Sequence, residues 1–368
     1  FNSPHMMAGP IAANATAPQG NWSLLHHTLL PCGDAAGVTW VLVASYSVET
    51  ALGVLGNACF IAILLRHKEK ALVTTIFLLS LVVSDLLVCV FCLPFTAAAV
   101  LLDGWVFGEA MCRATSFIQC AAVTVSILSL VLIALERHQL VVHPTDWRPG
   151  PAHARLAVVG IWAAAALVSL PFATNSALIR DFPGQLHLAA PEAGRALCVC
   201  AWPSETLRLA YAAALLLLQY LLPLLFIAAC YLRISLRLWG RERMLGRRAA
   251  QLRRVNTLLA SMVGAFAACW LPLHVFNSID DWSYRVVPSC LHDLVFSLCH
   301  LAAMASACIN PVIYGFLNSN FKKEVKGLAL RCRRRRSPGR TGESVPLSTA
   351  QTDAFRGPLQ PSCPQAPA

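Results

Sequence analysis

Five stretches of this chain, residues 114–135, 156–179, 209–232, 255–279 and 294–321, contain no Asp, Glu, Lys or Arg. Two more, 35–65 and 71–102, are each interrupted by a single acid, Glu49 and Asp85. A helix needs about 20 apolar residues to cross the hydrocarbon of a bilayer, and all seven segments reach that length. Lipid offers the backbone no hydrogen bonds, so only helices and closed barrels span it. Barrel strands alternate over about 10 residues, whereas these segments are apolar on every side. The expected fold is an all-α membrane protein, a seven-transmembrane helix bundle over residues 38–317. An extracellular tail (1–37) precedes it. Phe321, Val325 and Leu328 then recur at helical spacing among lysines, which predicts a short interfacial amphipathic helix over 318–332 lying on membrane lipid. Residues 333–368 read as a disordered, Pro- and Ser-rich cytoplasmic tail.

Charge sets the orientation. Only 13% of residues are charged, yet the net charge is +11; soluble domains carry about 25% charged residues. That combination excludes a disordered or nucleic-acid-coating chain and argues against a soluble enzyme. With the N-terminus outside, 24 of the 29 basic residues fall in the inner loops and inner tail, as cytoplasmic loops require. The inner face then carries +17 and the outer face −5. Two glycosylation sequons, at Asn14 and Asn21, both lie before the first span, on the same predicted outer face. Residues 1–37 lack a basic-then-apolar pattern, so the first span is expected to act as the signal anchor. The loops hold no Walker loop, zinc-ligand cluster or nucleophile elbow. Neither an enzyme nor a cofactor is expected, apart from a structural sodium ion.

Of 15 cysteines, Cys32, Cys112, Cys198, Cys200 and Cys290 are on the outer side, where oxidation favours pairing. Cys112 opens the third span, and Cys198 or Cys200 in the second outer loop could bridge to it. Cys32 with Cys290 would tie the tail to the last span. Cys332, beside basic residues after the seventh span, suits palmitoylation.

Ionisable residues inside a membrane are functional by default. Asp85 reads as a cation site, plausibly sodium, completed by Ser126 and Asn310. Glu136-Arg137-His138 closes the third span at the inner face. Pro272, two residues after Trp270, and Pro311, next to Asn310, remove backbone hydrogen bonds and predict kinks.

One marker per helix then appears in order. Asn57 stands in the first span, Leu81 to Asp85 in the second, Cys112 and Arg137 in the third, and Trp162 in the fourth. Pro223 and Tyr231 follow in the fifth, Cys269-Trp270-Leu271-Pro272 in the sixth, and Asn310-Pro311-Val312-Ile313-Tyr314 in the seventh. Together they resemble a rhodopsin-like G-protein-coupled receptor. The run Ser126 to Gln139, the run His274 to Trp282 and the run Asn318 to Glu324 are similar to the neuropeptide Y receptor family. The acidic pair Asp280-Asp281 and Val345-Pro346-Leu347-Ser348-Thr349 look most like its pancreatic-polypeptide-preferring branch.

The resemblance implies a ligand that is a C-terminally amidated peptide of the neuropeptide Y, peptide YY and pancreatic polypeptide group. It also implies coupling to a heterotrimeric G protein, usually of the inhibitory class, and arrestin recruitment by the tail at Ser344, Ser348, Thr349 and Thr352. Asp281 is expected to pair an arginine of the peptide, in the bidentate manner open to Arg and carboxylate. Asp280 and Asp103 add to the acidic rim, and Gln119, Asn277 and His300 lie deeper, with Phe276 and Gln219 completing the ligand site. Trp270 and Pro272 are expected to sense the ligand and let the sixth helix swing. Arg137, released from inner-face partners, would meet the G protein, supported by Tyr231 and Tyr314, with Glu136, Asn310 and Pro311 in the same activation set.

The residues also exclude neighbours of this family. A neutral Gln119 argues against a small amine ligand, and a seventh span without Lys rules out a retinal Schiff base. His274 reads as a packing histidine. The chain departs from the family pattern at Leu93, Ala99 and Cys200, although Cys198 stands at the family's bridging position. A receptor for another short amidated peptide is the runner-up. A heptahelical transporter would need several intramembrane ionisable groups and an internal repeat.

Overall fold

The computed structural model describes residues 35–66, 73–143, 149–179, 196–240, 242–282, 289–317 and 327. Among them are seven helices long and apolar enough to cross a membrane. The first span is α1 (Ala35–Arg66). The second is divided into α2 (Val73–Phe91) and α3 (Leu93–Leu101). Pro94 lies in the first turn of α3 and has no N–H to give. The ladder survives the break, because Cys92 N–H still reaches the Val88 carbonyl at 2.9 Å.

The third span, α4 (Gly108–Val142), outruns its charge-free window at both ends. Glu109, Arg113, Glu136 and Arg137 ride on the same helix beyond its apolar middle. The fourth is α5 (Pro151–Asn175), entered through Gly150 with proline in its first turn. The fifth comprises α6 (Glu205–Leu216), a π-helical turn (Leu217–Leu221) and α7 (Leu222–Gly240). Ser204 caps α6 by accepting from Leu207 N–H. The π turn has a local cause. Pro223 cannot donate to residue 219, so the ladder widens and Leu222 N–H bonds Leu217 instead. The sixth span lies in α8 (Glu242–Trp282) and the seventh in α9 (Ser289–Leu317), with Pro272 and Pro311 inside them.

One element departs from an all-helical bundle. β1 (Ser176–Ile179) and β2 (Leu197–Cys200) pair antiparallel, Ser176 opposite Cys200 and Ile179 opposite Leu197. Four residues per strand give too little alternation to be read from sequence. The ribbon lies across the outer end of α4, where Arg113 Nε donates to the Ser176 carbonyl at 3.1 Å.

α4 carries the longest run of buried positions, from Cys112 through Val141. Leu81, Ile127, Leu130, Ile133, Met262 and Met304 are almost wholly enclosed. α5 is the opposite case. Leu156, Val159 and Leu167 point outward, where lipid would meet them, and only Ala154, Ala165 and Ser169 are buried. Small residues let helices approach closely where no hydrophobic drive exists between them. Polar side chains then fix the register. Trp162 Nε1 on α5 donates to Ser80 Oγ on α2 at 3.1 Å, and Ser129 Oγ on α4 donates to the same atom at 3.2 Å. Asn57 Nδ2 on α1 reaches the Ala307 carbonyl on α9 at 2.8 Å.

Apart from Gly327, which is helical, the predicted interfacial helix over 318–332 lies outside the described residues, as do the sequons at Asn14 and Asn21, Cys32, Cys332, the tail and the Cys290 side chain.

Gly53 has the least room for a side chain among the described glycines. A Cβ there would stand 2.3 Å from Cys89 Sγ and 3.0 Å from Cys308 Sγ. Gly53→Ala is expected to destabilise the bundle by about 1–3 kcal/mol, the usual range for overpacking. The check is the thermal denaturation midpoint of detergent-solubilised protein. It should fall for Gly53→Ala and recover in part when Cys89→Ala is added.

Candidate functional site

Polar groups gather at four depths along the bundle, and helices that cannot bury charge cheaply hold each group in place. At the outer rim, Arg208 on α6 donates through Nη1 to Asp281 Oδ1 on α8. Asp280 next to it accepts from His292 Nε2 on α9 at 3.0 Å, while His292 Nδ1 lies 3.3 Å from Asp293. Glu109 pairs Arg113 four residues on at 2.5 Å. Asp103 sits in the exposed turn after α3 with φ of 48°, a left-handed geometry that Asp tolerates better than most residues. Two of the acids expected to face a cationic ligand are thus already engaged within the chain, Asp281 by Arg208 and Asp280 by His292. Asp281 in particular is not a bare carboxylate waiting at the rim.

One layer down, Gln119 on α4 and His300 on α9 meet with their Nε2 atoms 3.1 Å apart. His300 Nδ1 lies 3.0 Å from the Tyr46 hydroxyl on α1, and that hydroxyl lies 3.3 Å from the Ser297 carbonyl. A consistent chain of donors follows. Gln119 gives to His300 Nε2, His300 Nδ1–H gives to Tyr46, and Tyr46 gives to Ser297. Gln119 Oε1 is buried and has no hydrogen-bond partner among the described residues. Asn277 is half-buried on α8. Phe276 is buried and packs its ring 5.0 Å from His292 and 6.0 Å from Phe296. Gln219 lies in the π turn, buried, and donates to Thr124 Oγ1 at 2.7 Å. Its amide is already committed to α4.

At mid-depth, Asp85 is 4% exposed. Its Oδ1 accepts from Ser126 at 3.0 Å and its Oδ2 from Asn310 Nδ2 at 2.7 Å. The three residues assigned to this cluster from sequence therefore do meet. A small cavity beside them is lined by Asp85, Ser126, Phe266, Trp270, Met304 and Ser306 among others. Trp270 is buried, donates Nε1 to Ser306 Oγ at 3.0 Å, and stacks on Phe266. His274 packs between Tyr220 and Trp270, at 4.5 Å and 5.9 Å, as a packing histidine should.

At the inner end, Glu136 and Arg137 share Thr74 on α2. Thr74 Oγ1 lies 2.7 Å and 2.6 Å from the two Glu136 oxygens, and Arg137 Nη2 donates to that same hydroxyl. Arg137 Nε is 3.3 Å from Glu136 Oε2. Tyr231 is partly buried with its hydroxyl unpartnered among the described residues, and Tyr314 packs on Phe60 at 4.6 Å.

The outer bridge forms between Cys112 and Cys198. It pins the β ribbon over α4 and leaves Cys200 as a free thiol.

Four partners had no sequence signal of their own: Thr74, Tyr46, Ser306 and Arg208. Each becomes visible only through a contact across 36 to 254 positions of chain. Glu49, which interrupts the first apolar stretch, has its Oε2 buried without a hydrogen-bond partner among the described residues.

A rim of paired charges over a deep amide and imidazole, a buried carboxylate at mid-depth and a restrained arginine at the inner end define a seven-helix receptor. Residues 56–314 match the family model described as 7 transmembrane receptor (rhodopsin family). The chain is similar to neuropeptide Y receptor type 4-2 of Homo sapiens, 46% identical over 98% of both chains. It is 45% identical to neuropeptide Y receptor type 4 of Rattus norvegicus, again over 98% of both. Neuropeptide Y receptor type 6 of Oryctolagus cuniculus is 41% identical over 95% of this chain and 96% of that one. The protein belongs to the rhodopsin family of seven-transmembrane receptors and, within it, to the neuropeptide Y receptors. It is a multi-pass protein of the plasma membrane.

Burial pushes the Cys200 thiol up to about 11, against about 8.5 for a free cysteine. A raised value means less thiolate at any given pH, and the thiolate is the nucleophile. On intact cells, iodoacetamide should label Cys200 slowly at neutral pH and faster at each step up to about pH 9. Labelling of the Cys200→Ser variant is the blank, and a neutral-pH rate equal to that of a free thiol contradicts the burial.

Proposed function

We propose that this protein is a receptor for C-terminally amidated peptides of the neuropeptide Y, peptide YY and pancreatic polypeptide group, preferring pancreatic polypeptide. The observation that carries the reading is Gln119 Oε1, a buried acceptor without a partner beside His300 and beneath the acidic rim. A buried acceptor left unmade costs about 1–3 kcal/mol. A terminal carboxamide brings an N–H that satisfies it, whereas a free carboxylate does not. Asn277 and His300 stand by the same amide terminus, Phe276 and Gln219 form the wall, and Asp281, with Asp280 and Asp103 beside it, receives an arginine of the peptide.

Binding acts by preferring one of two packings, since only a difference in affinity between states shifts their balance. The peptide bears on Trp270, Pro272 lets the lower half of α8 swing away, and Arg137 leaves Thr74 and Glu136 to meet a G protein. Tyr231, with its idle hydroxyl, becomes a partner for the freed guanidinium, alongside Tyr314. The G protein is of the inhibitory class, arrestin follows on the phosphorylated tail, and the basic inner face holds anionic lipid. Asp85 and Ser126 bring a buried carboxylate and a hydroxyl, the oxygen donors a sodium ion takes, to the wall of a small cavity, and Asn310 holds the carboxylate in place by donating its Nδ2–H to it.

Displacement of a radiolabelled peptide on expressing cells tests the ligand group. Pancreatic polypeptide should compete at the lowest concentration, and failure of all three peptides to compete sinks the reading. Asp281→Ala should weaken the arginine-bearing peptide by about 2–5 kcal/mol, as for other desolvated charge pairs, with surface expression measured in parallel. Replacing sodium by choline in the assay buffer should raise agonist affinity for the unaltered receptor and leave Asp85→Asn unmoved.

A further inference from the structure

The rim holds a contact that a cationic ligand has to break. Arg208 donates to Asp281, and both side chains are mostly sheltered, 18% and 23% exposed. Glu205, one turn earlier on the same helix, stands 3.9 Å from Arg208 Nη2 and is 67% exposed. The two arms of one guanidinium therefore face two carboxylates, one inside the bundle mouth and one in water. α6 opens the fifth span and α8 closes the sixth, so the buried arm ties the outer ends of those two spans.

We propose that Arg208 is a resident stand-in for the ligand's arginine. An incoming guanidinium takes Asp281, and Arg208 turns back onto Glu205. The inference rests on Asp281 being the acid that receives the ligand.

Three physical points support the exchange. A sheltered carboxylate left without a cation is costly, so a resident arginine keeps Asp281 ionised and in place before any ligand arrives. Two guanidinium groups crowded on one sheltered carboxylate repel each other, so the arrival of the second favours the departure of the first. Glu205 supplies the place to go, three residues back on the same helix face, where side chains meet without backbone movement. The exchange trades one arginine–carboxylate pair for another and closes up the Glu205 pair, which is long at 3.9 Å before the ligand arrives. A ligand lacking arginine gains nothing from Asp281 and leaves the fifth and sixth spans tied. Rim specificity is then set by a competition within the receptor as well as by contact with the ligand.

Competition binding decides it, using an amidated peptide and its analogue with the arginine replaced by alanine, on cells whose surface receptor is counted by an epitope tag. Arg208→Gln removes the competitor and should tighten the arginine peptide about fivefold, the scale of one partly exposed ion pair. It should leave the alanine analogue unchanged. Glu205→Gln should weaken the arginine peptide alone. In an Asp281→Ala background, Arg208→Gln should have no further effect. If Arg208→Gln weakens both peptides equally, Arg208 is only a tie between helices and the exchange is wrong. The exchange is also wrong if Arg208→Gln leaves the arginine peptide unchanged while Asp281→Ala weakens it. If Asp281→Ala itself has no effect, the assignment of Asp281 to the ligand fails, and the exchange falls with it.

Discussion

A helix in hydrocarbon satisfies its own backbone, and lipid is as apolar as leucine, so neither backbone nor hydrophobic drive selects which helices meet. Buried polar side chains do that selecting here. Asp85 accepts from Ser126 and Asn310 and so joins α2, α4 and α9 at mid-depth. Ser80 gathers Trp162 and Ser129 and adds α5. Asn57 ties α1 to α9. Each donor left without a partner would cost more in this medium than at a wet surface. The bundle is therefore held in register by a handful of contacts, and changing any of them changes the packing. The same economy that stabilises one arrangement makes a second arrangement reachable.

The functional reading follows from where this column is open. At mid-depth both Asp85 oxygens are engaged beside a small cavity, and the inner end is restrained, where Thr74 serves Glu136 and Arg137 together. Among the described residues, Gln119 Oε1 above and the Tyr231 hydroxyl below are buried without a hydrogen-bond partner, as are Glu49 Oε2 and Asn57 Oδ1. Under the proposed function, a ligand group would partner Gln119 Oε1 and a freed Arg137 would partner the Tyr231 hydroxyl in one altered packing. Pro272 in α8 and Pro311 in α9 weaken the ladders that would otherwise resist it.

Much of this was legible in the sequence, for a physical reason. Excluding charge from hydrocarbon is so costly that seven spans, their order and their orientation stand out in a plain search for Asp, Glu, Lys and Arg. The Asp85, Ser126 and Asn310 cluster was legible for the same reason, because a carboxylate at mid-depth has to have partners. Pairings were not. Arg208 and Asp281 lie 73 positions apart, and Tyr46 and His300 lie 254 apart. Before folding, a tyrosine in an apolar run looks like any other packing residue. The break at Cys92, the π turn at Leu217–Leu221 and the β ribbon were also hidden. Each is a local answer to a proline or to a disulfide, and none alters the average apolar character of its segment. Glu49 is the reverse case, an intramembrane acid in plain sight whose partner the described residues do not supply.

In the proposed mechanism, occupying the outer site repacks the inner end. Spin labels at Gln139 on α4 and Gln251 on α8, read by double electron–electron resonance, report the separation of the third and sixth spans there. Saturating amidated peptide should move the distance distribution to longer values by several ångströms, and the same peptide with a free terminal carboxylate should leave it in place. A distribution that stays put under saturating amidated peptide would contradict the account.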